Sequence, residues 1–523
     1  MKKMRVEQKS NVKNGVKRLV FAVLSVLFQV SWFTFFVVGL SSYHTYISIG
    51  FSIVALIVAV RLYGKHTDNA LKMPWIIVIL ALPVMGLTLY LLTGHSSLYK
   101  KLRQRFLTIS EELNEAIPQD MDVIEEMREE ASDRVDLSEY LSGWNNYPVY
   151  RNTDVQFFPE AVYGLRSQLE DLKKAEHFIF LEYHAIENKE SFALIKEILI
   201  KKASDGVDVR IFYDDMGSLW FINGEFKKEM ESYGIQCRVF NPIVPVLNMF
   251  MNNRDHRKIT VIDGKIGYTG GYNLANEYFN VTRPFGYWKD TGIRLEGDAV
   301  STLTVLFLTM WYAMEKKKPA YSEREDFTKF FPEYDYSAKD NGFVQPYGDS
   351  PLDNEPVAEN VYISIANRAR NYVWFVTPYL VLSEDMIRTL SFAAKRGVDV
   401  RIITPGVPDK KFVYQMTRSY YAPLVASGVR IFEYTPGFSH AKMCISDGIA
   451  GTVGTINMDF RSFYLHFENG VLLSHCKVLN AIHNDFIDMF DESEEVTDKY
   501  QKESRSYPKR IIQCLLRLIA PLF

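Results

Sequence analysis

The stretch "RDHRKITVIDGKIGYTGGYN", residues 254–273, decides how this chain is read, because its pattern returns as "FSHAKMCISDGIAGTVGTIN" at residues 438–457. On a β-strand, side chains two apart share a face, so His256 and Lys258 point the same way, as do His440 and Lys442. A strand that buries its other face has no packing reason to carry an imidazole beside an ammonium. Asp263 and Asp447 follow their lysines at one interval, and Asn273 and Asn457 follow those aspartates ten residues on.

The repetition extends outward. "AEHFIFLEYHAI" and "RNYVWFVTPYLVL" read as apolar strands, and each precedes a helical stretch, "SFALIKEILIKKASDG" or "EDMIRTLSFAAKRG". Each helix ends at a glycine, Gly206 or Gly397, a common C-terminal stop. The next strands open on the identical "GVDVR", at 206–210 and at 397–401. Strand, helix and strand at this spacing predict a βαβ unit within a parallel or mixed sheet flanked by helices. The spacing between copies is too long for a solenoid, so the chain is a tandem duplication. Two such lobes packed about a pseudo-two-fold axis would bring both His-Lys pairs together. The expected organisation is a membrane anchor at 1–98, a charged linker or exposed helix at 99–139, lobes at 140–325 and 326–495, and a basic amphipathic tail at 496–523.

Four potentially cationic groups in one place are costly unless an anion sits among them. A phosphate diester matches best. Lys258 and Lys442, with the amides of Asn273 and Asn457, can hold its non-bridging oxygens and the charge that develops on them. One imidazole can attack phosphorus to give a phosphohistidine while the other protonates the leaving oxygen. An imidazole titrates near neutrality, so both forms are accessible. No metal or other cofactor is needed, because lysines and a protonated histidine supply the charge. Asp263 and Asp447, each in an Asp-Gly turn, are expected in supporting roles, and Glu468 in "HFENG" can orient an imidazole or contact substrate.

Other residues carry weaker signals. Glu182 and Tyr183 end one strand where Pro378 and Tyr379 end its counterpart, and strand ends of such sheets often face a site. Trp288 and Asp290 in "YWKDTG", and Arg461 and Ser462 in "MDFRS", fit either a site or packing. His184, His466 and His475 lie outside the motifs and read as structural.

Bulk properties agree. A chain of 523 residues with net charge -3 and pI near 6.4 carries no basic bias towards nucleic acid. Cys237, Cys444, Cys476 and Cys514 form no C-x-x-C pair, which argues against a disulfide framework or a structural zinc. The uncharged run Leu19–Leu40 is long enough to span a bilayer, whereas Tyr46–Val60 is short and Met73–Leu92 is interrupted by Pro83 and Gly86. Lys2, Lys3, Arg5, Lys9, Lys13, Lys17 and Arg18 place the N-terminus in the cytoplasm. Three crossings would export Lys100, Lys101, Arg103 and Arg105, so one run is expected to bend back, leaving the large domain on the cytoplasmic face. The tail "YPKRIIQCLLRLIAPLF" sets Lys509, Arg510 and Arg517 beside apolar residues, a pattern for a helix lying on anionic lipid.

The two motifs, His256-x-Lys258-x4-Asp263 and His440-x-Lys442-x4-Asp447, resemble those of the phospholipase D superfamily. "LPVMGLTLYLLTGH", "FYDDMGS", "YWKDTGIRLEG", "TRSYYAPLVASGVRIFEYTPGFSHAKM" and "GTINMDFRSFYLHFENGV" narrow the resemblance to bacterial cardiolipin synthases, from about residue 73 onward. Two points depart from that pattern: Asp255 stands before His256 where Asn is expected, and Phe21–Tyr63 adds hydrophobic length. The resemblance implies an α/β fold of two duplicated phospholipase D-like lobes after an N-terminal transmembrane segment. It implies a multi-pass protein of the bacterial cell membrane with phosphatidylglycerol and anionic lipids as partners. The implied reaction joins two phosphatidylglycerols into cardiolipin and releases glycerol, metal-independently, with His256, Lys258, Asp263, His440, Lys442 and Asp447 active. By the same analogy His256 attacks and His440 is the acid. Hydrolysis of a lipid phosphodiester is the alternative, a nuclease fits the charge poorly, and a non-enzymatic scaffold does not explain two intact motifs.

Overall fold

The computed structural model describes residues 44–65, 69–94, 97–242, 252–315, 326–353 and 355–503, with isolated positions in the two tails. Strands of the first half are β1 (Thr153–Phe158), β2 (Phe178–Tyr183), β3 (Asp208–Asp214), β4 (Gln236–Phe240), β5 (Arg254–Asp255), β6 (Lys258–Ile262), β7 (Ile266–Gly270), β8 (Tyr287–Lys289) and β9 (Gly292–Gly297). Those of the second are β10 (Phe343–Asp349), β11 (Tyr372–Val376), β12 (Leu380–Val381), β13 (Asp399–Pro405), β14 (Arg430–Tyr434), β15 (Gly437–Ser439), β16 (Met443–Ser446), β17 (Ala450–Gly454), β18 (Met458–Asp459), β19 (His466–Ser474) and β20 (Ser493–Glu495).

The duplication is visible in the strand orders, β1-β9-β7-β6-β2-β3-β4 in one sheet and β10-β19-β17-β16-β11-β13-β14-β20 in the other. In each lobe three consecutive strands run parallel and the motif hairpin runs antiparallel, so both sheets are mixed, as expected. Parallel strands need crossover helices, and Glu190–Ser204 and Glu384–Lys395 fill that place in the two lobes. β2, "FIFLEY", is buried along its whole length, as a strand covered on both faces must be.

Two short pairings tie the lobes together. β5 of the first lobe runs parallel to β19 of the second, with Arg254 opposite His466 and Asp255 opposite Phe467. Reciprocally, β15 of the second lobe pairs with β8 of the first, setting Phe438 opposite Trp288 and Ser439 opposite Lys289. Both pairings lie immediately before a motif histidine. Between the lobes runs the helix Val300–Ala313, "VSTLTVLFLTMWYA", buried on nearly every side. A helix apolar all round belongs in a core, and its few hydroxyls are satisfied, Thr304 donating to the Val300 carbonyl at 3.0 Å.

Part of the stretch expected as a solvated linker belongs to this core instead. The helix Ser97–Asn114 buries Leu102, Phe106 and Leu113, and the Phe106 ring packs, tilted, 5.5 Å from that of Phe467 of the second lobe. Its glutamates had masked an amphipathic pattern whose other face is apolar.

The expected span Leu19–Leu40 and most of the C-terminal tail, Cys514 included, lie outside the described residues. Among the described residues no helix is long and apolar enough to cross a membrane. The run Met73–Leu92 is divided between helices Asn69–Ala81 and Pro83–Gly94. They fold back on one another so closely that a Cβ on Gly86 would lie 2.6 Å from the Ile79 backbone. A helix-breaking proline at position 83 accounts for the reversal. Cys237, Cys444 and Cys476 are buried and free, and burial pushes each thiol up to about 12.

Candidate active site

Both motif histidines sit at the seam where the lobes exchange strands. The pairing of β5 with β19 sets the His256 N–H on the Phe467 carbonyl at 2.9 Å, and that of β15 with β8 sets the His440 N–H on the Lys289 carbonyl at 2.7 Å. Each ring then meets a carboxylate from the opposite lobe. His256 Nδ1 lies 2.8 and 3.0 Å from the two oxygens of Glu468, and His440 Nδ1 lies 2.7 Å from Asp290 Oδ2. An ionised carboxylate on Nδ1 holds the proton there and leaves the Nε2 lone pair for chemistry. Nε2 of neither ring makes a hydrogen bond among the described residues.

The carboxylates are themselves fixed. Thr455 Oγ1 donates to Glu468 at 2.5 Å. The Thr291 N–H donates to Asp290 at 3.0 Å. At Gly271, the position equivalent to Thr455, a Cβ would stand 2.0 Å from Asp290 Oδ1, so only glycine lets this carboxylate in.

Lys258 and Lys442 share their faces with the histidines, as the two-residue spacing requires, and both are buried. Each ammonium donates to the carbonyl of its own motif histidine, and Lys442 Nζ also lies 2.7 Å from His440 Nδ1. Burial lowers Lys258 to about 8 and Lys442 to about 7, with Glu468 and Asp290 opposing the shift in both. Burial likewise holds both imidazoles well below the ordinary histidine range, and the charges of Lys258 and Lys442 push both further in that direction. Each lysine acts on both rings, so the two motifs share one electrostatic neighbourhood. Burial raises Asp290 to about 7 against the pull of Lys442.

The remaining motif residues lie elsewhere. Asp263 and Asp447, implied active by the resemblance, sit at the far end of the hairpins with φ of 51° and 54°. Each is followed by a glycine with positive φ, as a tight hairpin turn demands. The Asp263 carboxylate accepts from the N–H groups of Glu176, His177 and Phe178, all at 2.8 Å. Asp447 does the same for Arg370, Asn371 and Tyr372 at 2.7–2.8 Å. A carboxylate held by three backbone donors at the start of the neighbouring strand fixes strand register at the end of the hairpin away from the histidine.

Asn273, expected to bind substrate, accepts from the Ala185 N–H at 3.0 Å and donates to the Tyr278 hydroxyl at 2.8 Å. The Tyr278 ring stands edge-on 5.3 Å from His440, so this amide supports the wall of the site. Asn457 is buried, and its Oδ1 has no hydrogen-bond partner. Glu468, also expected among substrate contacts, is committed to His256 and Thr455 instead.

Asp290 is the residue that motif spacing alone passes over. It lies far along the chain from His440 and in the other lobe, and the "YWKDTG" resemblance was its only signal. Glu182 and Tyr183 turn inward: Glu182 pairs with Arg257, and the Tyr183 hydroxyl bonds Thr260 and Gln168. His184 and His466 flank His256 with ring centroids 5.0 and 5.6 Å away. His256, His466 and Glu468 offer donor atoms within 4.8 Å of one another. A metal there would have to displace the hydrogen bond that orients His256.

Comparisons with known proteins identify the family of this chain. The family model described as "Cardiolipin synthase, PLD-like domain" matches residues 169–304 and 362–490, and "Phospholipase_D-nuclease N-terminal" matches residues 50–95. A Streptococcus mutans protein described as uncharacterized is 40% identical across 88% of this chain and 98% of its own length. A cardiolipin synthase of Geobacillus sp. (strain WCH70) is 33% identical across 98% of this chain and all of its own length. One of Halalkalibacterium halodurans is 31% identical, covering 90% and 92%. The crystal structure of Haemophilus influenzae phosphatidylserine synthase superposes on 72% of this chain and 98% of its own with a TM-score of 0.52, a shared fold at 14% identity.

Proposed function

This chain belongs to the cardiolipin synthase family of phospholipase D-like proteins, and from that premise we propose that it transfers a phosphatidyl group from one phosphatidylglycerol to another, giving cardiolipin and glycerol. The observation that carries the reading is the reciprocal pair of imidazoles, each oriented by a carboxylate from the other lobe, with two buried lysines acting on both.

In this reading Lys258 and Lys442 hold the non-bridging oxygens of the donor phosphate. His256 Nε2 attacks phosphorus, the phosphorus–oxygen bond to glycerol breaks, and His440 delivers a proton to that oxygen. The hydroxyl of the second phosphatidylglycerol then gives its proton back to His440 and attacks the phosphohistidine, freeing His256. The negative charge of a bound diester raises both imidazoles and both lysines, opposing the depression caused by burial. Asp290 stabilises the imidazolium form of His440, and Glu468 does so for His256. Asp263 and Asp447 serve as supports of strand register, and Asn273 as a support of the site wall.

Both substrates are two-tailed lipids, so the cleft must work at a bilayer surface. The matched N-terminal family segment supports a membrane-attached enzyme. The basic N-terminus favours a cytoplasmic N-terminal end, and Lys100, Lys101, Arg103 and Arg105 after the hydrophobic runs favour the lobes on that same face.

Vesicles of phosphatidylglycerol test the reading. The full chain should form cardiolipin and release glycerol, and His256→Ala and His440→Ala should each lower the rate by about 10³-fold or more, as loss of an attacking or proton-transferring group does. Phosphatidic acid as the main product would replace the transferase reading with hydrolysis.

A further inference from the structure

The two sides of the cleft are unlike. Around His440 the neighbours are aromatic: Trp288, Phe438 and Tyr278 have ring centroids 5.5, 5.8 and 5.3 Å away. The equivalent positions beside His256 are polar. Arg254 stands where the second lobe has Phe438, His466 where the first lobe has Trp288, and Ser462 where it has Tyr278, with Arg461 just before it.

Strand register gathers these residues. Arg254 is two residues before His256, on the same face, and its parallel partner is His466. His466 Nε2 accepts from Arg461 Nε at 3.2 Å. A line of Arg254, His466 and Arg461 therefore borders the His256 ring. Arg254 is buried and only partly engaged. Its Nη1 donates to the Asn241 carbonyl at 2.9 Å and lies 3.5 Å from Asp214 Oδ1, while Nε and Nη2 have no hydrogen-bond partner. Two guanidinium nitrogens, with three N–H groups between them, buried without acceptors are an expensive arrangement unless a ligand supplies them. Burial lowers Arg461, Asp459 and Asp214 oppose that shift, and the charge of Arg254 adds to it, so the two guanidinium groups feel one another.

We propose that Arg254 and Arg461, joined by His466, form a seat for a second phosphodiester beside the reacting one, that of the acceptor phosphatidylglycerol. The chemistry fits: a guanidinium presents parallel N–H donors to phosphate oxygens. The stoichiometry fits too. Cardiolipin carries two phosphates on one flexible three-carbon bridge, so they can lie side by side, and the reacting phosphate occupies only the motif lysines. This inference rests on the transferase reading and adds the residues that favour a lipid acceptor over water or free glycerol.

Two reactions of the full chain in phosphatidylglycerol vesicles separate the seat from the chemistry. Exchange of labelled glycerol into phosphatidylglycerol uses the same attack and proton transfer but a single phosphate. Cardiolipin formation needs both. Arg461→Gln, and Arg254→Gln as a second variant, should lower the ratio of cardiolipin formed to glycerol exchanged by about tenfold or more, the size expected for a lost charged hydrogen bond. The loss should appear as a raised KM for acceptor lipid, and Arg461→Lys should recover part of it. Inorganic phosphate added as a competitor should depress cardiolipin formation less in Arg461→Gln than in the parent enzyme. A ratio that stays within twofold in both variants, or cardiolipin and exchange falling together, overturns the seat. A parent enzyme that exchanges glycerol yet makes no cardiolipin overturns the transferase reading, and the seat with it.

Discussion

The two lobes hold their motif histidines on nearly the same backbone but fill the space beneath them differently. Behind His256 lies a buried polar network. Arg257 pairs with Glu182 and lies 3.4 Å from Asp255, and the Asp255 N–H donates to Asp214 at 3.1 Å. Counted from the equivalent hairpin turns and the shared "GVDVR", the second lobe has Ala441, Val376, Ser439 and Pro405 at those four positions. One imidazole rests on a charged foundation and the other on an apolar one. Burial pushes Glu182 well above the usual carboxylate range against the pull of Arg257, and raises Asp214 to about 7 against that of Arg254. The lesson is that duplication conserved the geometry facing the phosphate while the support behind it diverged.

The largest expected effect tests whether the orienting carboxylates remain equivalent despite that divergence. Glu468→Gln and Asp290→Asn should each cut kcat by about 10²-fold or more with little change in KM, because an amide on Nδ1 no longer favours the reactive tautomer. Equal losses keep the halves symmetric in function. A loss confined to one would assign the demanding proton transfer to that side.

The next effect sharpens the contrast in support. Arg257→Met strands Glu182 and Asp255 in the core and should cost about 3–5 kcal/mol, seen as a lower denaturant midpoint. The triple change Glu182→Val, Asp255→Ser, Arg257→Ala imports the second lobe's residues, and should recover stability relative to Arg257→Met. A triple variant less stable than the single would mean that the first lobe's packing, beyond its charges, requires the network.

The smallest effect is a pH dependence. With Lys442 near 7 and Lys258 near 8 in the free enzyme, kcat/KM should fall by about tenfold per pH unit between those values and by about a hundredfold per unit above them, as first one and then both required cations are lost. These lysines titrate below their unfolded values, so the native state binds fewer protons between the two. Their contribution should therefore make folding stability rise with pH from about 7 towards the unfolded value. An activity limb near the ordinary lysine range would show that the site stays hydrated when empty.

Much of the site was legible in the sequence because strands alternate: the His-x-Lys spacing alone put both groups on one face. The turn role of Asp263 and Asp447 was also legible, since Asp-Gly after a strand signals a hairpin, although the resemblance drew them towards the chemistry. Asp290 was not legible from periodicity, because it reaches His440 only through a pairing between lobes. Nor was the Arg257 network, since a strand pattern gives no reason for a charge to point inward and find two carboxylates. The helix Ser97–Asn114 was hidden by its own polar face.

The reciprocal pairing of β5 with β19 and of β15 with β8 also sets when the enzyme can begin to work. During synthesis the first half emerges with the edge of β8 bare until residues 437–439 follow, and with His256 lacking its carboxylate until Glu468 follows. A nascent chain therefore lacks the completed pair of oriented imidazoles until translation of both halves is essentially complete.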